Sequence, residues 1–296
     1  MSPVRYCGRT FTDTELELIR RIIADRERHP HRLAISRAVC EQLGWLRPDG
    51  RLKDMSARVA LLRMHRDGLI VLPPPRQESN NGRRRPSLTA ASDPGPAVEG
   101  TPRDLTSLKL RPVETRRDSS WWNELIERYH YLGYVPLPGA QLRYLIEGGD
   151  QVLGALGMGA AAWKVAPRDN FIGWSHAQRE QRLHLVINNA RFLILPWVRV
   201  RNLASWVLGQ LARQVADDWE RRYAYRPVLL ETFVERDRFR GTCYKAANWV
   251  HVGQTQGRGK LDRHKRYGKP IKEIFLYPLA NNFREVLAGD PDGFTE

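Results

Sequence analysis

The chain has 296 residues, 42% of them hydrophobic, with nine tryptophans, three cysteines and a formal net charge of +15. No apolar run reaches the roughly 18 residues that span a bilayer, and Cys7, Cys40 and Cys243 stand too far apart for a zinc finger or a disulfide scaffold. A charge this positive points to a polyanionic partner, because clustered Lys and Arg release counterions from phosphates.

No apolar stretch follows the arginines of "MSPVRYCGRT", so no secretory leader is expected, and an odd number of free thiols suits the cytoplasm. In "FTDTELELIRRIIADR", Thr12 or Asp13 can cap a helix that carries Leu16, Ile19, Ile22 and Ile23 on one face. "LAISRAVCEQLGW" predicts a second helix stopped by Gly44, and Pro48-Asp49-Gly50 a turn. "RLKDMSARVALLRMHRDGLI" predicts a third helix with Met55, Val59 and Leu62 inward, joined by Leu61, and ended by Asp67-Gly68. "LIVLPPPR" then predicts a strand running into prolines. Three short helices and a strand over residues 1–76 predict a winged helix-turn-helix that binds DNA. Arg51, Lys53, Arg58, Arg63 and Arg66 would meet phosphates and base edges in a major groove. The competing reading is a protein-interaction bundle with ordinary surface arginines.

Residues 77–104, "QESNNGRRRPSLTAASDPGPAVEGTPRD", hold almost no large apolar side chain and predict a flexible linker. The second unit, 105–296, opens with a helix in "WWNELIERYHYLG" and two strands around Gly148-Gly149-Asp150. Gly154, Gly157 and Gly159 allow close backbone approach. "FIGWSHAQREQRLHLVINN" enters a helix, "ARFLILPWV" is a buried strand, and "LASWVLGQLARQVADDWERRY" is a long helix. That helix repeats Leu203, Val207, Leu208, Leu211, Val215, Trp219 and Tyr223 at helical spacing. "VLLETFV", a buried-looking strand after Asn248, and "IKEIFLYPL" complete a mixed-sheet α/β domain.

Two stretches of this unit resemble the GNAT N-acyltransferases over roughly 120–256. Arg199-Val-Arg-Asn202-Leu-Ala204 looks like the family's Q/R-x-x-G-x-G/A loop, which implies a coenzyme A pyrophosphate site formed by Arg199, Asn202 and Ala204. Tyr244-Lys-Ala-Ala-Asn248-Trp249 resembles its closing Y-x-x-x-G-F pattern, which implies Tyr244 as a general acid. Both family glycines are asparagines here. Tyr244 and Trp249 as plain core residues is the alternative. Over nearly the whole chain outside the linker, "LKDMSARVALLRMHRDGLIVLP", "INNARFLILPWVRVRNLAS" and "PVLLETFVERDRFRGTCYKAANWVHVGQTQGRGK" resemble the DruA family of Druantia-type anti-phage systems, with related domains beside transposases. That resemblance implies a bacterial, DNA-related role in defence or mobile elements, with DNA and other defence or transposition proteins as partners.

Residues 236–272 contain eleven Lys or Arg against two Asp. Arg258, Lys260, Arg263, Lys265 and Arg266 are the expected phosphate contacts, with Tyr267 available to stack on a base. Asp217, Asp218, Glu231, Glu235 and Asp237 could hold Mg²⁺ for phosphodiester chemistry. Glu231, inside "LLETFV", stands out, since a carboxylate in a sheet needs a metal, a substrate or a buried partner such as Arg191 or Arg199. Cys243 could be a thiolate at a helix start, or simply buried. The expectation is a DNA-binding protein with an N-terminal winged helix and a GNAT-like domain. Its rivals are an acyltransferase using a coenzyme A type cofactor and a Mg²⁺-dependent nuclease or strand-transfer enzyme.

Overall fold

A computed structural model describes residues 3–47, 49–76, 85–257 and 268–289. Two compact units divide between Gly82 and Arg83, each built around its own apolar core.

The first unit consists of a hairpin, β1 (Val4–Tyr6) and β2 (Arg9–Phe11), followed by α1 (Asp13–Ala24), α2 (Arg32–Gln42) and α3 (Asp54–Arg66). Thr12 caps α1 reciprocally: its hydroxyl accepts from the Glu15 N–H, and the Glu15 carboxylate accepts from the Thr12 N–H. Leu16, Ile19, Ile22 and Ile23 are buried, as the helical period predicts. The third helix is rotated from the expected setting. It buries Ala57, Ala60, Leu61 and Met64, leaving Met55 62% and Val59 41% exposed. Two apolar stripes were available, and the alanine-bearing stripe faces the core because small side chains let α3 sit close beside α2. No strand follows. Residues 69–75 run without ladder pairing, and guanidinium groups take their carbonyls instead, Arg20 on Leu69 at 3.1 Å and Arg32 on Pro73 at 2.7 Å. Prolines 73–75 have no N–H to give a ladder. The three helices of the expected winged helix-turn-helix are present, but the hairpin precedes them and no wing strand follows α3 among the described residues.

Residues 77–84 of the expected linker lie outside the described residues, but 85–104 lie on the second unit. The Thr89 N–H and hydroxyl donate to Glu124 at 2.9 and 2.8 Å. Trp121 donates its indole N–H to the Ala91 carbonyl at 2.8 Å, and Tyr129 its hydroxyl to that of Ser92 at 2.7 Å. Val98–Gly100 forms β3. Despite its linker-like composition, this strap is held by polar groups reaching it from the surface of the unit, with Val98 packed against the core.

The remaining elements are β4 (Lys109–Pro112), α4 (Arg116–Tyr129), β5 (Leu142–Gly148), β6 (Gln151–Ala160), α5 (Ala166–Ile172), α6 (His176–Arg182), β7 (Val186–Ile194), β8 (Val198–Val200), α7 (Leu203–Tyr223), β9 (Leu229–Glu235), α8 (Thr242–Ala246), β10 (Val250–Gln254), β11 (Lys272–Pro278) and α9 (Phe283–Ala288). Seven strands form one mixed sheet in the order β4-β5-β6-β7-β9-β11-β10. Every pair is antiparallel except β7–β9, which is parallel and joined by the crossover helix α7. The glycines of β6 serve close approach: a Cβ on Gly154 would stand 2.2 Å from the Leu193 carbonyl oxygen. Six of the seven predicted apolar positions of α7, Leu203 to Trp219, are buried, and Tyr223 packs at the margin. β10 differs from expectation: it is an edge strand with Val250 and His251 exposed.

One departure from regularity positions the site. β7 and β9 pair only from Val186–Leu229 to Asn189–Thr232. A register shift where β6 meets β7, between Asn189 and Arg191, bends β7 at that point, and the two strands then diverge.

Candidate functional site

The divergence opens a cleft of about 340 Å³ between β7 and β9. Its walls include Asn189, Arg191 and Phe192 of β7, Thr232 of β9, His130 and Tyr131 after α4, Phe239 to Tyr244 around the start of α8, and Lys272 of β11. Gly241 makes the tight entry to α8 possible. It is left-handed at φ +66°, and a Cβ there would press on the Phe275 ring at 2.7 Å.

The cleft is cationic and partly dry. Among the described residues, no carboxylate lies within ion-pair reach of Arg191, Arg240 or Lys272. Burial lowers the pKa of Arg191 below its ordinary value. Burial also lowers that of Lys272, with Glu235 opposing and Arg191 and Lys269 adding to the effect. His130 is pushed down to about 4 by burial and then by Arg191 and Lys272, so its ring is neutral at neutral pH. The Arg191 guanidinium donates to the Ala190 carbonyl at 2.7 Å, while its Nε is buried without a partner. At the mouth, Phe239 is 48% exposed and meets Tyr131 edge-on at 5.3 Å, with the Arg238 guanidinium over the Tyr131 ring.

Tyr244 is the one expected catalytic residue that reaches this cleft. Its ring packs against Trp249 at 5.1 Å and Phe275 at 5.7 Å. Its hydroxyl donates to the Asn189 side chain at 3.2 Å and accepts from Thr232 at 3.4 Å. Burial raises the phenol far above its usual range, so the proton stays on. Cys243 also lines the cleft, but burial raises its thiol too, which is contrary to a thiolate nucleophile.

Glu231 does not join Tyr244. Successive residues of a strand face opposite sides, so Thr232 faces Tyr244 and Glu231 faces away. Its carboxylate, fully buried, pairs with Arg168 at 2.8 Å and accepts from the Ala162 N–H at 2.7 Å. Arg168 is equally buried, pairs also with Asp169 at 2.8 Å, and lies over the Trp174 ring. The partner is thus Arg168, neither Arg191 nor Arg199. The other candidate carboxylates are dispersed: Asp217 pairs with Arg226, Asp218 with Arg221 and the Tyr144 hydroxyl, and Glu235 with Arg238. Among the described residues, no three His, Cys, Asp or Glu side chains come together as a metal site.

The loop before α7, the expected coenzyme A site, is lined along one side by β3. Asn202 at φ +61° and Asn248 at φ +62° keep the left-handed backbone that a glycine would supply. However, β3 lies along β8 in parallel register from Val98–Val198 to Gly100–Val200, and the Arg201 N–H donates to the Gly100 carbonyl at 2.8 Å. Within the segment from Arg199 to Ala204, the Arg201 N–H is thus taken by the chain itself.

Of the expected DNA contacts, Arg51, Arg58 and Arg63 are exposed and Lys53 is half-buried. Arg258, Lys260, Arg263, Lys265, Arg266 and Tyr267 lie outside the described residues. The sequence reading did not single out His130, Tyr131, Phe239 or Lys272 for the cleft, and it treated Arg191 only as a partner for Glu231. Arg191, a cation inside the apolar run "ARFLIL", was the one usable signal.

Residues 63–269 match the family model described as Druantia protein DruA. No curated protein matches the chain. Among solved structures, one described as a probable acetyltransferase of the GNAT family from Chromobacterium violaceum is similar at TM-score 0.37 and 14% identity, over 70% of this chain and 97% of that one. The polyamine N-acetyltransferase of Drosophila melanogaster is similar at TM-score 0.37 and 11% identity, over 58% and 100%. FeeM, an N-acyl amino acid synthase from uncultured soil microbes, is similar at TM-score 0.36 and 12% identity, over 62% and 95%.

Proposed function

The chain belongs to the Druantia protein DruA family, and from that premise we propose that it is a nucleic-acid-binding component of an anti-phage defence system, gripping phosphates in the cleft between β7 and β9. The carrying observation is the pair Arg191 and Lys272, two partly desolvated cations with no carboxylate within ion-pair distance among the described residues, Glu235 acting on Lys272 only from further off. Burying such charges costs free energy unless an anion answers them. A phosphate does so, and the neutral ring of His130 beside them adds a hydrogen-bond donor without adding charge. The basic run containing Arg258, Lys260, Arg263, Lys265 and Arg266 extends the same charge along the chain, and the arginines of α3 offer a second, duplex-binding surface. The C-terminal unit serves in this reading as a GNAT-like scaffold.

Oligonucleotide affinity measured across a salt series tests this reading. Arg191→Met and Lys272→Met are each expected to weaken binding about tenfold and to flatten the salt slope by about one unit for each phosphate left without its cation. Folded variants with unchanged affinity and slope would refute the cleft as the phosphate site.

Acyl transfer is the second reading, favoured by the protonated Tyr244 hydroxyl lining the cleft. Calorimetric titration of the intact chain with coenzyme A tests it: binding would support acyl transfer, and no binding would count against it.

A further inference from the structure

We infer that the cleft receives one whole nucleotide, its base stacked on Phe239 and its phosphate held by Arg191 and Lys272; the inference rests on the phosphate-binding reading above. A groove that only tracks a backbone needs cations and nothing more. Here the cations share a bounded volume with an aromatic mouth. Phe239, nearly half exposed, is a large apolar ring that the fold leaves in water at the cleft's rim. Tyr131 stands 5.3 Å from it with the ring planes inclined at 61°, and the Tyr131 ring is itself covered by Arg238. An exposed ring beside phosphate-seeking cations is the arrangement on which nucleobases stack, since every base has a π face.

The remaining surfaces suit the rest of a nucleotide. About 340 Å³ lies at the lower end of small-ligand sites, suited to one nucleotide and too small to enclose a dinucleotide-sized cofactor. Arg191, a residue of the cleft wall, has a buried Nε donor with no partner among the described residues. A phosphate oxygen satisfies that donor, and the base remains for the aromatic mouth. The nucleotide can be free or part of a strand, and the stacking and charge requirements are the same for each.

Competition against a labelled single-stranded oligonucleotide tests this on the full chain, with nucleoside monophosphates, ribose phosphate and a short unlabelled strand as competitors. Nucleoside monophosphates are expected to compete at least tenfold better than ribose phosphate, which lacks the base. Phe239→Ala, at an exposed position, is expected to erase that advantage without changing ribose phosphate, and Phe239→Trp to preserve it. Equal competition by the two compounds, no competition by any monophosphate, or a Phe239→Ala defect shared by ribose phosphate would each overturn the one-nucleotide pocket while leaving phosphate binding intact. Oligonucleotide affinity unmoved by folded Lys272→Met would instead bring down the underlying reading. A short strand that outcompetes monophosphates by more than its charge explains would assign the nucleotide to a strand, and parity would assign it to a free nucleotide.

Discussion

Glu231 and Arg168 show how far one residue's neighbours decide its meaning. Both are fully buried; Arg168 is the cation that pairs with Glu231, and it pairs with Asp169 as well. Removing the Glu231 charge leaves the buried Arg168 with Asp169 alone, so Glu231→Gln is expected to cost about 3 kcal/mol in urea unfolding. The Arg168→Met, Glu231→Leu double variant should recover part of that stability. A stable Glu231→Gln protein that no longer binds nucleic acid would return Glu231 to the functional groups. His130 carries a pH signature of opposite origin. Its folded pKa, about 4, lies below its ordinary 6.5, so between these values the unfolded chain binds more protons. Stability contributed by His130 is therefore complete above pH ~6.5 and lost as pH falls towards ~4, by a total on the order of 2 kcal/mol after allowing for partial solvation. His130→Gln should flatten the stability profile in that window, and an unchanged acid limb would contradict the buried neutral ring. A bound phosphate should raise the His130 pKa, which NMR titration would show.

At the scale of elements, asparagine stands where glycine is expected without changing the backbone. Asn202 caps α7 in the left-handed region, and its position is exposed. Asn202→Ala is expected to cost about 1 kcal/mol, and Asn202→Gly close to nothing, because only a β-carbon without a compensating local polar group is strained there. Thermal unfolding measures both, and equal costs would mean that the side chain matters more than the dihedral. The helix α3 makes a related point. Its period was legible, but its phase was not, since two stripes of similar apolarity ran along it and only the packing of α2 selected Ala57, Ala60, Leu61 and Met64. In consequence Met55 and Val59 are exposed on the helix that also bears Arg58 and Arg63, a mixed apolar and cationic surface.

For the whole molecule, the two units keep separate cores, and the division falls between Gly82 and Arg83. Residues 1–82 are therefore expected to fold alone, with a cooperative unfolding transition. They should bind duplex DNA weakly, and Arg58→Ala with Arg63→Ala should reduce that affinity about tenfold at low salt. Unchanged duplex affinity of the double variant would recast this unit as a protein-interaction module. The larger unit depends on its strap: the Glu124 carboxylate, almost fully buried, is met by the N–H and hydroxyl of Thr89.

Local pattern alone was enough for the long helix α7, the α1 core face, the β5–β6 hairpin and the family, since each depends on residues close in sequence or on the quoted phrases themselves. Fold class followed from strands alternating with helices. Only the tertiary structure decided which carboxylate met which cation, because Arg168 and Glu231 are 63 positions apart and many arginines could have closed that pair. The same holds for the cleft. Arg191, Lys272, His130 and Phe239 come from separate elements, and they share one space because β7 bends and parts from β9. Pairing of neighbours in space, unlike periodicity along a chain, leaves no mark in the order of residues, so the site emerges only once the sheet is assembled.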